Sequence, residues 1–441
     1  MNFFQVIKKI VPAKVFNLGA PVYHWLLAFL GAVIYRFPSR HLTVIGITGT
    51  KGKTSTAEFL NAMLEEAGFR TALTGTLRFK IGRDSKLNLY RMTMPGRFFI
   101  QKFLRRAVDA GCRFAVIELT SEGARQFRHA FIALDALVFL NLAPEHIESH
   151  GSYEKYRQAK LSLGRALLAS PKPNPALIIN GDDSESEKFL ALAVPRKVIF
   201  QMNDAENLVA THRGVSFDWR GERFTSTIPG IFTLANILAA ASAAAIFGVN
   251  VKVAARAVEK LTEIKGRVQR ITLSDDDSLR EKQNFEVIVD YAHTPDSLEA
   301  VYKTYANFKK VCVLGGTGGG RDRWKRPAMG GIADKHCQKI FLTNEDPYDE
   351  APEKIAAEIA AGVKKNSPTI IMDRRAAIHE AIREAARLSG AAQGESGVAA
   401  LITGKGTDPC ICGPRGAKTP WSDAAVAREE LRKVLKIRGG E

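Results

Sequence analysis

The chain has 441 residues, 46% of them hydrophobic and 25% charged, which suits two or three folded domains and excludes global disorder. Its 63 lysines and arginines against 46 acids leave a formal charge of +17, which fits nucleic acid, an anionic membrane surface or a phosphorylated substrate. No basic motif interleaved with aromatics is present, so nucleic acid is not an expected partner. The five cysteines (Cys112, Cys312, Cys337, Cys410 and Cys412) include no Cys-x-x-Cys pair, which indicates neither a disulfide framework nor a zinc ribbon and fits a reducing cytoplasm.

Residues 1–41 carry Lys8, Lys9, Lys14, Arg36 and Arg40 and no acid. Their apolar run, Trp25 to Tyr35, falls short of the roughly 20 residues of a membrane span and has no small-residue cleavage site, so neither a span nor a signal peptide is expected. Two readings stand: a helical hairpin packed on the body, which is preferred, or a basic amphipathic element lying peripherally on the inner membrane face.

The run Leu42-Thr43-Val44-Ile45 then breaks into Gly46-Ile47-Thr48-Gly49-Thr50-Lys51-Gly52-Lys53-Thr54-Ser55-Thr56 and opens a helix from Ala57. Strand, glycines and helix start form the layout of a phosphate-binding loop, whose backbone N–H groups and helix dipole face a polyphosphate. Lys53 is placed to reach the β- and γ-phosphates and Thr54 to sit on Mg²⁺. The spacing departs from the strict pattern, because Gly46 lies one residue early and Ile47 stands where glycine is expected.

Further on, short β-rich runs at 114–119, 136–141, 176–180 and 197–200 are separated by helical stretches such as 153–168. This predicts a mostly parallel sheet covered on both faces. Helices are expected over 234–247 and 251–261, and a loop or hairpin tip over 274–278. A second α/β unit follows, with strands at 286–290, 311–314, 340–343, 369–372 and 399–403. The expected organisation is therefore an arm (1–41), a central ATP-binding domain (42–264) and a C-terminal Rossmann-like α/β domain (265–441).

Glu118 ends one central strand, and Asn141 ends another, followed by Pro144-Glu145-His146. Carboxyl ends of parallel strands are where open α/β sheets gather ligands, so Glu118 and His146 are expected to approach the triphosphate and its Mg²⁺ beside Thr54.

With these motifs in this order the chain resembles the Mur ligases, ATP-dependent amide-forming enzymes of peptidoglycan precursor synthesis. The resemblance rests on Gly49-Thr50-Lys51-Gly52-Lys53-Thr54, Glu118-Leu119-Thr120-Ser121, Asn141-Leu142-Ala143-Pro144-Glu145-His146, Tyr156-Arg157-Gln158-Ala159-Lys160, Asp290-Tyr291-Ala292-His293-Thr294-Pro295, the run Gly318 to Pro327 and Gly404-Lys405-Gly406. The Tyr-Ala-His-Thr-Pro and Arg-Asp-Arg-x-Lys-Arg-Pro signatures are most similar to the branch that adds the third stem-peptide residue to UDP-N-acetylmuramoyl-L-alanyl-D-glutamate.

The resemblance implies ATP and two Mg²⁺ ions, an acyl-phosphate intermediate, small-molecule substrates and a monomer. It implies that Lys160 is carbamylated and that Thr54, Glu118, His146 and Lys160 form the metal site. It makes Lys53 and Arg326 catalytic, and gives nucleotide contacts to Gly49 through Ser55, Asn236, Arg267, Asp290 and His293. Thr93-Met94-Pro95 resembles a substrate loop, and Ser121, Asp346, Tyr348 and Asp408 are the remaining substrate positions.

Several positions depart from the family pattern. About forty-five residues precede the P-loop, where Mur ligases carry a UDP-sugar domain, so the donor is held otherwise or lacks UDP. Tyr348 replaces the arginine of the diaminopimelate-adding motif, and Gly-Lys-Gly-His-Glu becomes Gly404-Lys405-Gly406-Thr407-Asp408. Thr233 replaces an asparagine. A folylpolyglutamate synthase-like ligase, or the Mur-ligase-like subunit acting on lipid-linked precursor, remains the alternative.

Overall fold

The structure, a computed structural model, describes residues 13–145, 147–273, 275–391 and 397–437. It begins with helix α1 (Ala13–Ile34). The first sheet is entered through β1 (Thr43–Thr48), α2 (Lys53–Glu66), β2 (Thr71–Thr74), β3 (Arg78–Ile81), β4 (Asp84–Leu87), α3 (Arg97–Asp109) and β5 (Phe114–Glu118). It is completed by α4 (Ser121–Arg125), β6 (Ala136–Phe139), α5 (Ile147–His150), α6 (Tyr153–Leu168), β7 (Ala176–Asn180), α7 (Ser186–Leu190) and β8 (Arg196–Phe200).

The strand order is β4-β3-β2-β5-β1-β6-β7-β8, parallel from β2 to β8, with the β3–β4 hairpin antiparallel at one edge. The central strands are buried on both faces, which is why they read as continuous apolar runs. One face packs Phe59, Leu60 and Met63 of α2, and the other packs Phe103 and Leu104 of α3 with Leu163 and Leu167 of α6.

A three-stranded antiparallel sheet follows, β9 (Glu206–Thr211), β10 (Gly214–Trp219) and β11 (Glu222–Ser226). Its alternate residues Phe217, Trp219 and Phe224 join the α2 face of the core together with α8 (Ile231–Ile246) and α9 (Val251–Lys260). The side chain of Asn250 caps α9 by accepting from the Lys252 N–H at 2.9 Å.

The second unit has a six-stranded sheet in the order β12 (Gln269–Arg270), β13 (Glu286–Asp290), β17 (Val398–Thr403), β14 (Lys309–Leu314), β15 (Lys339–Leu342) and β16 (Thr369–Ile370). Only β12 is antiparallel to its neighbour. Its helices are α10 (Asp277–Lys282), α11 (Pro295–Thr304), α12 (Lys325–His336), α13 (Pro352–Ala360), α14 (Arg374–Ala391) and α15 (Asp423–Ile437), and a small ribbon pairs β18 (Cys410–Cys412) with β19 (Lys418–Pro420). Separate apolar clusters fill the two faces of this sheet.

The described part of the arm holds α1 and a 3-10 turn at Pro38–His41, and the hairpin expected over 1–41 lies partly outside the described residues; Ala28 and Ala32 are buried where α1 packs on α3, and a Cβ on Gly31 would come within van der Waals reach of Phe98. Segment 275–278 lies in the connection between the antiparallel strands β12 and β13, where the Asp276 carboxylate accepts from the Leu279 N–H at 3.1 Å and starts α10; Ser274 itself is outside the described residues. Cys312 and Cys337 form a disulfide between β14 and the end of α12, with Cα atoms 6.1 Å apart. Their 25-residue separation gave no spacing signal for it.

Two kinds of contact join the units. Behind the cleft, Phe232 of α8 packs against the second core, and the His212 and Phe308 rings lie 4.7 Å apart. At the front the contacts are between charged and polar groups.

Candidate active site

The front cleft is organised by β1 and its neighbours. Gly52 adopts φ +83° and a Cβ on it would meet Asn236 Oδ1 at 2.4 Å, so only glycine fits the turn that starts α2. Asn141, just past β6, clamps the loop: its Oδ1 accepts the N–H groups of Thr50 at 3.1 Å and Lys51 at 2.8 Å. Lys53 Nζ folds back onto the carbonyls of Gly49 at 2.7 Å and Thr50 at 3.0 Å. Burial lowers its pKa, against the pull of the Glu118 and Glu145 carboxylates. Thr54 and Ser55 lie in the first turn of α2.

The β1–β5 register sets Glu118 opposite Ile47, one residue from the end of β1. Glu118 Oε2 accepts from Thr54 Oγ1 at 3.1 Å and Thr76 Oγ1 at 3.0 Å, and its Oε1 accepts from the Thr76 N–H at 2.8 Å. Burial raises its pKa, so the carboxylate would gain from a cation. A carboxylate and a hydroxyl side by side are oxygen donors, the set that suits a hard divalent ion. Among the described residues no group of three metal-ligating side chains is assembled, and His146 lies outside them.

Helix α6 brings two side chains four residues apart onto one face. Tyr156 Oη is 2.9 Å from Thr50 Oγ1, and Lys160, 2% exposed, donates to the Gly49 carbonyl at 2.8 Å. Burial, then the Lys53 charge, holds the Lys160 pKa well below the ordinary lysine value. Asn236 on α8 accepts from Thr56 Oγ1 at 3.2 Å, while Thr233 turns its hydroxyl to the Pro229 carbonyl at 3.0 Å.

From the second unit, Asp290 accepts the N–H groups of Val268 at 2.7 Å and Ala292 at 2.6 Å, which fixes the turn carrying Arg267. Arg267 lies over the Tyr291 ring at 4.7 Å and reaches Thr54 Oγ1 at 3.5 Å. His293 Nε2 is 3.4 Å from Glu145, and Lys51 Nζ donates to Thr294 Oγ1 at 2.6 Å across the cleft. A cavity of about 110 Å³ remains there, lined by Thr50, Lys51, Glu145, Thr294, Asp322 and Lys325. Arg326 is not among these: fully buried, it pairs with Glu350 at 3.0 Å and Glu358 at 2.6 Å and donates to the Thr317 carbonyl, all within the second unit.

The expected substrate positions fall into two groups. Thr93 Oγ1 is 2.8 Å from Thr76 Oγ1, Met94 and Pro95 are buried behind it, and Ser121 Oγ contacts His150 Nε2 at 3.1 Å. Asp346, Tyr348 and Asp408 gather in the second unit around Lys405. Lys405 Nζ donates to both Asp346 oxygens at 2.9 Å and to Asp408 at 3.1 Å. Tyr348 (φ +51°) carries the Arg321 guanidinium 5.0 Å above its ring. Sequence reasoning missed Arg91, a loop arginine with no motif signal, which bridges Asp346 at 2.6 Å and Asp408 at 3.0 Å. Thr76, Tyr156 and Lys325 were also missed; the signal that could have found Tyr156 is its place one helical turn before Lys160.

A P-loop sheet facing a second α/β unit, with phosphate-binding, carboxylate and basic groups converging between them, defines a nucleotide-dependent ligase of two closing domains. The family model of the Mur ligase middle domain matches residues 47–244, and that of the Mur ligase glutamate ligase domain matches residues 266–406. The chain is 34% identical over 435 residues to the UDP-N-acetylmuramyl-tripeptide synthetase of Roseiflexus sp. (strain RS-1), covering 92% of this chain and 82% of the relative. It is 36% identical over 426 residues to a UDP-N-acetylmuramoyl-L-alanyl-D-glutamate–2,6-diaminopimelate ligase of Gloeobacter violaceus, covering 92% and 80%.

A solved diaminopimelate ligase of that type aligns with TM-score 0.58 and 27% identity over 90% of this chain and 79% of that one. The folylpolyglutamate synthase of Mycobacterium tuberculosis aligns with TM-score 0.67 at 18% identity over 92% and 94%, which shows a shared fold. The chain belongs to the Mur ligase family and is an ATP-dependent ligase forming carbon–nitrogen bonds in peptidoglycan precursor synthesis.

Proposed function

We propose that this ligase joins a carboxylate of a peptidoglycan-precursor peptide to an incoming amino acid with a cationic side chain. The observation that carries the reading is the pair Asp346 and Asp408 set beside Tyr348, where the diaminopimelate-adding motif has an arginine. Two carboxylates attract a side-chain ammonium, and Tyr348 offers no charge to a distal carboxylate.

In the reaction the donor carboxylate attacks the γ-phosphorus of ATP, ADP leaves, and the amine then attacks the acyl carbon of the acyl phosphate and expels phosphate. Lys53 and the P-loop N–H groups orient the triphosphate and neutralise its charge, with Arg267 and His293 closing from the second unit. Thr54 and Glu118 would hold a magnesium ion, which supplies charge neutralisation at the phosphates. Closure keeps water from the acyl phosphate.

Lys160 is the proposed site of carbamylation. Burial lowers its pKa and so favours the neutral amine that can attack CO₂, forming an N–C bond and losing a proton to give an anionic carbamate. That anion, with His146, would serve a second magnesium. The protein works as a monomer at the inner membrane face, where the outward side of α1 rests on anionic lipid. Val22, Trp25, Leu26, Phe29, Leu30 and Val33 form an exposed apolar stripe at helical spacing, in an arm that has basic residues and no acid. This placement favours a lipid-linked donor over a free UDP-linked one.

The test is phosphate release with ATP, UDP-linked and lipid-linked dipeptide donors, and lysine, ornithine, alanine and meso-diaminopimelate. Lysine or ornithine is expected to give the highest kcat/KM. Lys53→Ala and Glu118→Ala are expected to fold but lose at least about a hundredfold in rate. A preference for meso-diaminopimelate would overturn the cationic reading, and near-normal turnover in either variant would overturn the site.

A further inference from the structure

Arg91 belongs to the first unit yet ends in the second. It stands at the apex of the loop joining β4 to α3, at φ +55°, a left-handed conformation that an arginine adopts only when its surroundings impose it. The loop is held at its base, where Asn88 Nδ2 donates to the carbonyls of Gly75 at 2.7 Å and Met92 at 3.0 Å. From that apex the guanidinium crosses the cleft, 14% exposed, and lies between Asp346 and Asp408.

The seat is a site rather than a chance surface pair. Its two carboxylates are already shared by Lys405, and Asp346 also accepts the Cys412 N–H at 2.7 Å. Two cations balance two anions only while Arg91 is present. Next in sequence to Asp346, Glu345 is 3% exposed, and its Oε2 lies against Gly404 with no hydrogen-bond partner. Arg91 also fits imperfectly, since its buried Nε makes no hydrogen bond.

We propose that Arg91 is a resident surrogate for the side chain of the incoming amino acid: it fills the Asp346–Asp408 pocket while the site is empty and is displaced by the substrate's ammonium. This deepens the cationic-substrate reading and rests on it. The displacement has somewhere to go. Two residues on, Thr93 touches Thr76, and Thr76 in turn donates twice to Glu118 beside the P-loop. Filling the amine pocket thus releases the loop that also presents the donor-side residues Thr93 to Pro95, so amine binding is tied to the phosphate end of the cleft.

The surrogate must lower the apparent affinity of what it mimics, by the fraction of molecules in which the pocket is open. The experiment is calorimetric titration of the full chain, Arg91→Ala, Arg91→Met and Arg91→Lys with n-butylammonium and with L-ornithine. Steady-state kinetics with ornithine follow on the same proteins. Loss of the guanidinium is expected to tighten both ligands by about tenfold or more and to lower KM for ornithine; Arg91→Lys should fall between. Arg91→Met keeps the aliphatic stem, so a folded variant is available should alanine loosen the loop.

Equal or weaker butylammonium binding in folded Arg91→Met would overturn the surrogate role, as would a raised KM for ornithine, the sign of an arginine that holds the substrate. The titration needs no turnover. A protein that ligates no basic amino acid, yet binds butylammonium tightly once Arg91 is gone, would refute the proposed substrate, and with it the surrogate role, while showing that Arg91 occupies a cation site.

Discussion

At the scale of single residues, the cleft depends on ionisable groups kept in the protonation state that burial disfavours or enforces. Lys160 is the extreme case. Its folded pKa lies well below 10.5, so between those values the unfolded chain binds a proton that the folded chain lacks. Stability therefore rises with pH across that interval and falls as pH drops from 10.5 toward the folded value. In carbon dioxide-free buffer, Lys160→Met is expected to be more stable than the parent near neutral pH and to show a shallower rise toward pH 10. Urea unfolding at several pH values measures this, and equal slopes in the two proteins would show that Lys160 is not the buried neutral amine.

The residue scale is also where the sequence was most and least informative. Gly52, Thr54 and Glu118 lie together because P-loop and strand-end geometry fix their places, and those geometries have readable spacing; Lys160 on its helix was found only through the family resemblance. Arg326 carried an equally strong motif, yet its guanidinium is spent on Glu350 and Glu358. Arg91 had no motif, because its position comes from a loop apex and a partner more than 250 residues away.

At the scale of elements, buried parallel strands and long helices were legible because both faces of a strand, or one face of a helix, must be apolar. Helix 153–168 matches its predicted span, since Ser152 caps it and the apolar spacing continues to Leu167. The antiparallel pieces, β3–β4 and β9–β11, went unread: β4 and β9 are exposed along their length and lack alternation, although Val215, Phe217 and Trp219 of β10 alternate inward and carried a readable signal. Helix α1 inverts the usual pattern, turning Ala28, Gly31 and Ala32 inward and its large apolar side chains outward. Among the described residues no helix is long and apolar enough to cross a membrane. Sedimentation with vesicles containing anionic phospholipid is expected to carry the protein down, and Trp25→Gln with Phe29→Gln is expected to leave it in solution. Unchanged partition of the double variant would remove α1 as the lipid contact.

At the scale of the whole molecule, the two units are joined by different means on opposite sides. Phe232 and the His212–Phe308 pair make the rear contact, whereas Lys51–Thr294, His293–Glu145 and Arg91 with Asp346 and Asp408 make the front one. Apolar contacts strengthen slightly in high salt, while charge pairs weaken as the Debye length shrinks to about 3 Å at 1 M, less steeply for half-buried pairs such as these than for surface ones. Small-angle scattering is expected to show a larger radius of gyration at high than at low ionic strength, with circular dichroism unchanged. A radius that does not move would mean that the front contacts do not hold the cleft closed.

The asymmetry also gives the protein a preferred direction of yielding. A body fastened mainly by ring packing at the Phe232 and His212–Phe308 contacts and mainly by charge at the cleft responds to salt at the cleft first. In the proposed reaction nucleotide, metal and amino acid would all enter at the charged side, and each would alter the ionic balance there. The substrates themselves would then be the salt that works the jaw.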